Sequence, residues 1–298
     1  MKVKSSGADL AFDIINTALL FLLLLIVAYP LYFIVIASLS TPNLVATGQV
    51  LFFPRGLTLV GYQKVLGYGM IWLGYRNSIF YSLGGAFLSV SLTMMAGYVF
   101  TRRDLAGRNF LLALFVIPMF FGGGLIPTYL VVRSLNMLNN PMTLVIMGCV
   151  SMYNIIIART FIDSNIPSEM LEAARIDGCN NVQYFFKIIL PLSKAVIAVL
   201  TVFALVGQWN SYFNALIYIN SRNLYPLQLV LREILNAQTE MMRQLQVGTV
   251  NSNDMQQIYL AESMKYGIII VSSLPMLMIY PFAQKYFVKG VMIGSVKG

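Results

Sequence analysis

Residues 167 to 191 read Pro-Ser-Glu-Met-Leu-Glu-Ala-Ala-Arg-Ile-Asp-Gly-Cys-Asn-Asn-Val-Gln-Tyr-Phe-Phe-Lys-Ile-Ile-Leu-Pro, the one long polar interruption in a chain of membrane-length apolar runs. Ser168 after Pro167 predicts an N-cap, Glu169 and Glu172 suit the positive end of a helix dipole, and Gly178 supplies a left-handed C-cap. The first half is therefore a helix over Ser168 to Asp177, with Met170, Ala173 and Ala174 near one face and Glu169, Glu172 and Arg175 around the rest. So short a helix is unstable alone in water and must dock, either on its own bundle or on a partner. Beyond Gly178, Asn180 or Asn181 caps a second helix that leads through Phe185, Phe186, Ile188 and Ile189 to Pro191. The result is a helix-turn-helix knuckle joined to the apolar run that follows.

Around this island the chain is 58% hydrophobic and 10% charged, with a mean hydropathy of +0.74. Soluble domains carry roughly 25% charged residues. Six apolar stretches have membrane length, near 14–39, 78–100, 110–133, 142–161, 193–219 and 265–284. They predict an all-α membrane protein, a six-helix bundle in one domain, with the polar segment 162–192 between the fourth and fifth spans and longer loops at 40–77 and 220–264. The first stretch exceeds a signal-peptide core and is kept as a span. With both termini inside, twelve of the twenty Lys and Arg residues face the cytoplasm, most densely in Thr-Arg-Arg-Asp-Leu-Ala-Gly-Arg at 101–108. The knuckle then lies on the cytoplasmic side, and 40–77 and 220–264 are external.

Several function classes are excluded or weakened. The net charge of +9 is scattered at span ends without a Lys/Arg-rich run, so nucleic acid is not an expected partner. Cys149 and Cys179 fall at different depths, which implies no disulfide framework. The chain has no histidine, no metal-ligand cluster and no acid pair at membrane depth, so neither a metal site nor an enzyme's catalytic constellation is expected. All eleven acids fall in loops or flanks, which disfavours proton relays. An ion-coupled secondary transporter of small polar solutes remains the rival reading, since carbonyls in broken helices can bind sodium.

Two spans carry candidate path residues. Pro118, Gly122 to Gly124 and Pro127 must break the third span, either because it lines a pathway or because such residues are common in membrane helices. Phe120 and Phe121 beside the glycines contact either the pathway or the aromatic core. In the fifth span, Gln208, Tyr212 and Ala215 share one helical face and Asn210 and Asn214 another, with Trp209 between them. Amides and aromatic rings suit a neutral sugar in a wet cavity, and the same amides serve equally as interhelical glue. The amphipathic stretch Leu227 to Leu245 either meets an external partner or lies on the outer leaflet.

Glu172-Ala173-Ala174, Asp177-Gly178 and Ile189-Leu190-Pro191 closely resemble the EAA motif of ABC-importer permeases. The tail from Phe287 to Gly298 and the segment Gln208 to Leu216 are similar to those of MalG-like carbohydrate permeases, and nearly the whole chain looks like their LplC-type oligosaccharide branch. Ala195 departs from the family, whose members often carry proline there. The resemblance implies a type I importer permease fold with a cytoplasmic coupling helix, paired with a second homologous permease in the cell membrane. It also implies two ATPase subunits and an external solute-binding protein as partners, and oligosaccharide uptake by alternating access. ATP and Mg then belong to the ATPases, and this chain binds no cofactor. On the family's pattern Glu169, Glu172, Ala173, Ala174, Arg175, Asp177 and Gly178 dock the ATPase, with Lys297 a further contact.

Overall fold

The computed structural model describes residues 7–246, 264–281 and 284, and all regular structure among them is helical. In chain order the helices are α1 (Gly7–Ser38), α2 (Pro42–Ala46), α3 (Val60–Gly67), α4 (Gly69–Thr101), α5 (Arg108–Phe120), α6 (Leu125–Ser134) and α7 (Pro141–Ile146). They continue as α8 (Met152–Asn165), α9 (Ser168–Ile176), α10 (Asn181–Leu192), α11 (Lys194–Trp209), α12 (Phe213–Tyr218), α13 (Leu227–Gln246) and α14 (Met264–Pro281). By length and composition three of these can cross a membrane, α1, α4 and α14, and two bent pairs bring the number to five if each is one span. The stretch read as the fourth span is interrupted at 147–151, so α7 and α8 are separately too short to count.

Two compact units emerge, residues 1–68 with 233–273 and residues 69–232 with 274–298. In the first, α1 is apolar on all sides and almost wholly exposed along its length, the surface of a helix that meets hydrocarbon or another apolar chain. Its buried end, Ile36 and Ala37, packs on Val45, Val50, Phe33 and Tyr266. The Tyr32 hydroxyl donates to the Phe52 carbonyl at 2.6 Å and fixes the loop that follows α2.

The second unit is organised around α4, against which α7, α8 and α11 pack. At 33 residues, α4 is about 50 Å long and joins two ends of the unit. Near its start, the Asn77 amide donates to the carbonyls of Asn223 and Tyr225 at 2.8 and 3.0 Å, and the Tyr81 hydroxyl donates to that of Leu224 at 2.8 Å. The Ser78 hydroxyl accepts from the Leu227 amide at 2.8 Å, so buried polar side chains of α4 hold the turn that leads into α13. At its other end Met94 and Tyr98 join Ala158, Ile162, Ala174, Phe185, Ile189, Val196 and Leu200 in one core.

Small residues set the α4–α8 spacing. A Cβ at Gly97 would lie 2.8 Å from the Ala158 Cβ and 3.1 Å from the Arg159 nitrogen, backbone that cannot step aside. Gly97→Val should destabilise the unit by about 1–3 kcal/mol. Thermal unfolding in detergent checks this, and a midpoint equal to wild type would contradict the close approach.

Candidate functional site

The knuckle is built from local rules and then anchored. Helix α9 starts at Ser168, one residue earlier than an N-cap serine would allow. Pro167 holds the cap position in extended backbone with no side-chain bond, because its fixed φ suits the approach to a helix. At the other end the Gly178 amide donates to the Arg175 carbonyl at 3.0 Å and the Cys179 amide to that of Ala174 at 2.8 Å. This double closure is a Schellman motif, and it places Gly178 at φ +77°, where a side chain is strained. Asn180 then caps α10: its side chain accepts from the Gln183 amide at 2.8 Å, and the Gln183 side chain accepts from the Asn180 amide at 3.1 Å.

The buried stripe of α9 differs from the one expected. Ala174 is buried, with Leu171 beside it, against Ile162, Ile166, Tyr184, Phe185 and Ile189, whereas Met170 and Ala173 are exposed. Residues three apart share a face, so 171 and 174 form one stripe and 170 and 173 another. Glu169, Glu172, Ala173, Arg175, Asp177 and Gly178 all lie on the exposed surface, and Ile176 is 86% exposed. Lys297 lies outside the described residues.

A charged clamp ties the knuckle to α4. Arg102 is 10% exposed and grips Asp104 with two parallel bonds, Nε to Oδ1 at 2.8 Å and Nη2 to Oδ2 at 2.7 Å. The same Oδ2 accepts from Arg175 Nη2 on α9 at 2.8 Å. Arg102 Nη1 also donates to the Tyr98 hydroxyl and to Asn181 Oδ1 at the start of α10, both at 2.9 Å. Hydrogen bonding from Arg102, then from Arg175, holds the Asp104 carboxyl well below the usual carboxylate range. Arg175 is thus engaged within the chain rather than facing outward unpaired. Tyr98, Arg102 and Asp104 escaped the sequence reading, although a single acid inside the basic run 101–108 was the available signal.

Beyond α10 the chain pivots. A wide π-type turn over Phe185–Ile189 precedes Pro191, which has no amide hydrogen for the helix ladder, and α10 and α11 meet at 81°. Ser193 sits at the pivot, fully buried with an unpartnered hydroxyl.

The fifth span is not one helix. It stops at Trp209 and resumes at Phe213, so Gln208, Tyr212 and Ala215 do not share a continuous face. The Asn210 amide folds back onto the Val206 carbonyl at 2.9 Å and terminates α11. A second break, at 147–151 with Gly148 at φ +78°, lies opposite, and the Gln208 amide reaches the Met147 carbonyl at 3.4 Å. Between the breaks is a cavity of about 250 Å³ whose polar lining is Ser89, Asn154, Gln208, Ser211 and Asn214, set among Met147, Phe203, Ala204 and glycines. Both breaks border this cavity, where their non-helical backbone meets polar side chains. Gln208 and Asn214 are therefore brought together. Trp209 is not among the lining residues; it is buried against Tyr75, with ring centroids 5.9 Å apart. Asn210 and Tyr212 lie within the break, and the Arg232 guanidinium carbon is 4.6 Å from the Tyr212 ring centroid. Phe120 and Phe121 sit exposed at the 116° bend between α5 and α6, outside this cavity. Gly148, Ser151 and Asn154 in the fourth apolar run mark the missed break. Among the described residues no group of His, Cys, Asp or Glu is arranged to hold a metal.

A helical bundle with broken spans around a polar cavity at one level and a clamped amphipathic knuckle at another is the architecture of a transport-system membrane subunit. Residues 89–293 match the family described as binding-protein-dependent transport system inner membrane component. The chain is 36% identical to the polygalacturonan/rhamnogalacturonan transport system permease YtcP of Bacillus subtilis over 96% of its own length and 98% of that protein's. It is 37% identical to protein LplC of the same organism, over 99% and 98%. Its structure superposes on a chain from a bacterial ABC transporter involved in importing the acidic polysaccharide alginate. That match has a TM-score of 0.86 and 29% identity, and covers 96% of this chain and 100% of the other. The chain belongs to the binding-protein-dependent family of ABC-importer permeases, inner-membrane transport subunits that work with ATPase and solute-binding partners. Membership sets the ion-coupled rival aside.

Proposed function

We propose that this chain is one of two homologous permeases of an importer that carries an oligosaccharide across the cell membrane by alternating access. Two ATPase subunits dock at the cytoplasmic knuckle and supply ATP and Mg chemistry, while a solute-binding protein delivers sugar at the opposite face. Both termini lie in the cytoplasm. The observation that carries this reading is the shared core: Ala174 of α9, Phe185 and Ile189 of α10 and Val196 and Leu200 of α11 pack in one cluster, with α10 and α11 meeting at 81°. Packed side chains transmit displacement because protein interiors are dense. An ATPase that shifts the exposed edge of α9, Glu172 and Ala173, therefore turns α11, at whose far end Gln208 borders the cavity. Amide and hydroxyl groups there match sugar hydroxyls, and the transport roles of the relatives supply the oligosaccharide class. In vesicles holding this chain, a partner permease and the ATPases, labelled oligosaccharide should accumulate only with ATP and binding protein. Accumulation that persisted without the ATPase subunits would refute the reading.

A further inference from the structure

We propose that the external end of the second unit selects an anionic oligosaccharide, one bearing sugar carboxylates, with Arg232 as a specificity-determining residue. This inference rests on the sugar-import reading above. Within residues 69–232 the charges are segregated. All five acids, Asp104, Asp163, Glu169, Glu172 and Asp177, belong to the knuckle end. The opposite end carries four arginines, Arg76, Arg133, Arg222 and Arg232, and the first acid met there is Glu233, which follows Arg232 on the same helix. Each is placed there by a neighbour. Arg76 adjoins Asn77, which holds the 223–225 turn, and Arg222 opens that turn. Arg133 ends α6, whose Tyr129 stacks on Tyr218, and Arg232 lies over Tyr212. Topogenic bias puts Lys and Arg on the cytoplasmic side, so an arginine-rich external end is not explained by membrane insertion. An excess of positive charge at a mouth raises the local concentration of anions.

Arg232 is the best placed of the four. It is half-buried, and among the described residues no carboxylate lies within ion-pair distance of it. Its guanidinium carbon lies 4.6 Å from the Tyr212 ring centroid, and with no hydrogen bond from its guanidinium among the described residues its N–H donors can grip a carboxylate with two parallel bonds. Tyr212 follows Ser211 directly, and Ser211 and Asn214 line the cavity. A uronic acid offers this arrangement a carboxylate for Arg232, hydroxyls for Gln208 and Asn214, and a C–H face for the Tyr212 ring. A neutral sugar leaves the guanidinium without a partner.

The test uses the assembled complex in vesicles, with trigalacturonate and its methyl ester as probes, each at saturation of the binding protein. The ester keeps the skeleton and removes the charge. Wild type should take up the acid about tenfold faster, and Arg232→Gln should reduce the acid-to-ester ratio about tenfold. Arg232→Lys, which keeps the charge, should hold the ratio within about threefold of wild type, and raised salt should lower the ratio in wild type. Because all forms use one binding protein, a changed ratio reports on the permease. Equal uptake of acid and ester by wild type, or a ratio unmoved by Arg232→Gln, overturns the inference and leaves sugar import standing. An assembled, ATP-hydrolysing complex that moves no oligosaccharide of either charge overturns the underlying reading as well.

Discussion

Gly178→Pro should leave the protein in the membrane and reduce ATP-driven uptake on the order of 100-fold. Proline holds φ near −65°, whereas residue 178 sits at +77°, and its ring removes the amide that donates to the Arg175 carbonyl. The Schellman closure is lost, and with it the bond from Cys179 to Ala174 that turns the chain toward α10. A local cost of about 3 kcal/mol corresponds to the docked geometry being present in roughly one molecule in a hundred. Gly178 itself is exposed with no atom packed against its Cβ position, so expression and insertion should survive. Gly178→Ala, which bears only the left-handed penalty of about 1–2 kcal/mol, should retain a tenth or so of the uptake. Glu172→Lys probes the same dock by charge. Glu172 is exposed with no ion pair among the described residues, so reversing it should abolish co-purification of the ATPases without loosening the knuckle. Uptake at the wild-type rate in Gly178→Pro or Glu172→Lys would remove α9 from the coupling route.

The knuckle was legible in the sequence because it obeys short-range rules. Pro167, Gly178 and Asn180 each do their structural work within four residues, through fixed φ, a positive φ and a capping box. Which face of α9 turns inward was not legible, since Met170 and Ala174 are both acceptable on an apolar stripe. Ile162, Tyr184 and Phe185, from other elements, decide for Ala174. The apolar runs announced membrane helices, but hydropathy is blind to the breaks at 147–151 and 210–212. Apolar composition continues through both, while Gly148 and the back-folded Asn210 amide interrupt the ladder. That is why Gln208 and Asn214 were found on separate faces of an ideal helix and yet line one cavity. Trp209 shows the converse error: an aromatic beside polar residues is drawn into the core by Tyr75, a partner 134 positions away by number.

Asp104→Arg should uncouple ATP hydrolysis from uptake. In the native clamp one carboxylate joins the loop after α4 to α9, so under the proposed mechanism a displacement of α9 would pass to α4 as well as to α11. The Asp104–Arg175 contact is half exposed and contributes only about 0–1 kcal/mol to stability, so its value lies in position. Arg102 is different, because at 10% exposure it loses its bidentate partner and faces a third guanidinium beside Arg175. Stranding it costs about 1–3 kcal/mol and opens the joint where Tyr98, Asn181 and the knuckle converge. Uptake per ATP hydrolysed should fall about tenfold while the ATPases still dock through the untouched Glu172 edge. Asp104→Asn, which keeps the shape and one acceptor, should fall between, and Asp104→Glu should restore most of the ratio. pH offers an independent check on the carboxylate. Its folded pKa is depressed, so its contribution is complete above the ordinary carboxylate range and is lost only as pH falls through the lowered value. The wild-type ratio of sugar moved to ATP hydrolysed should therefore be flat from about pH 5 to 8. A ratio in Asp104→Arg equal to wild type would mean that α4 takes no part in transmitting the stroke, leaving α11 as the sole lever.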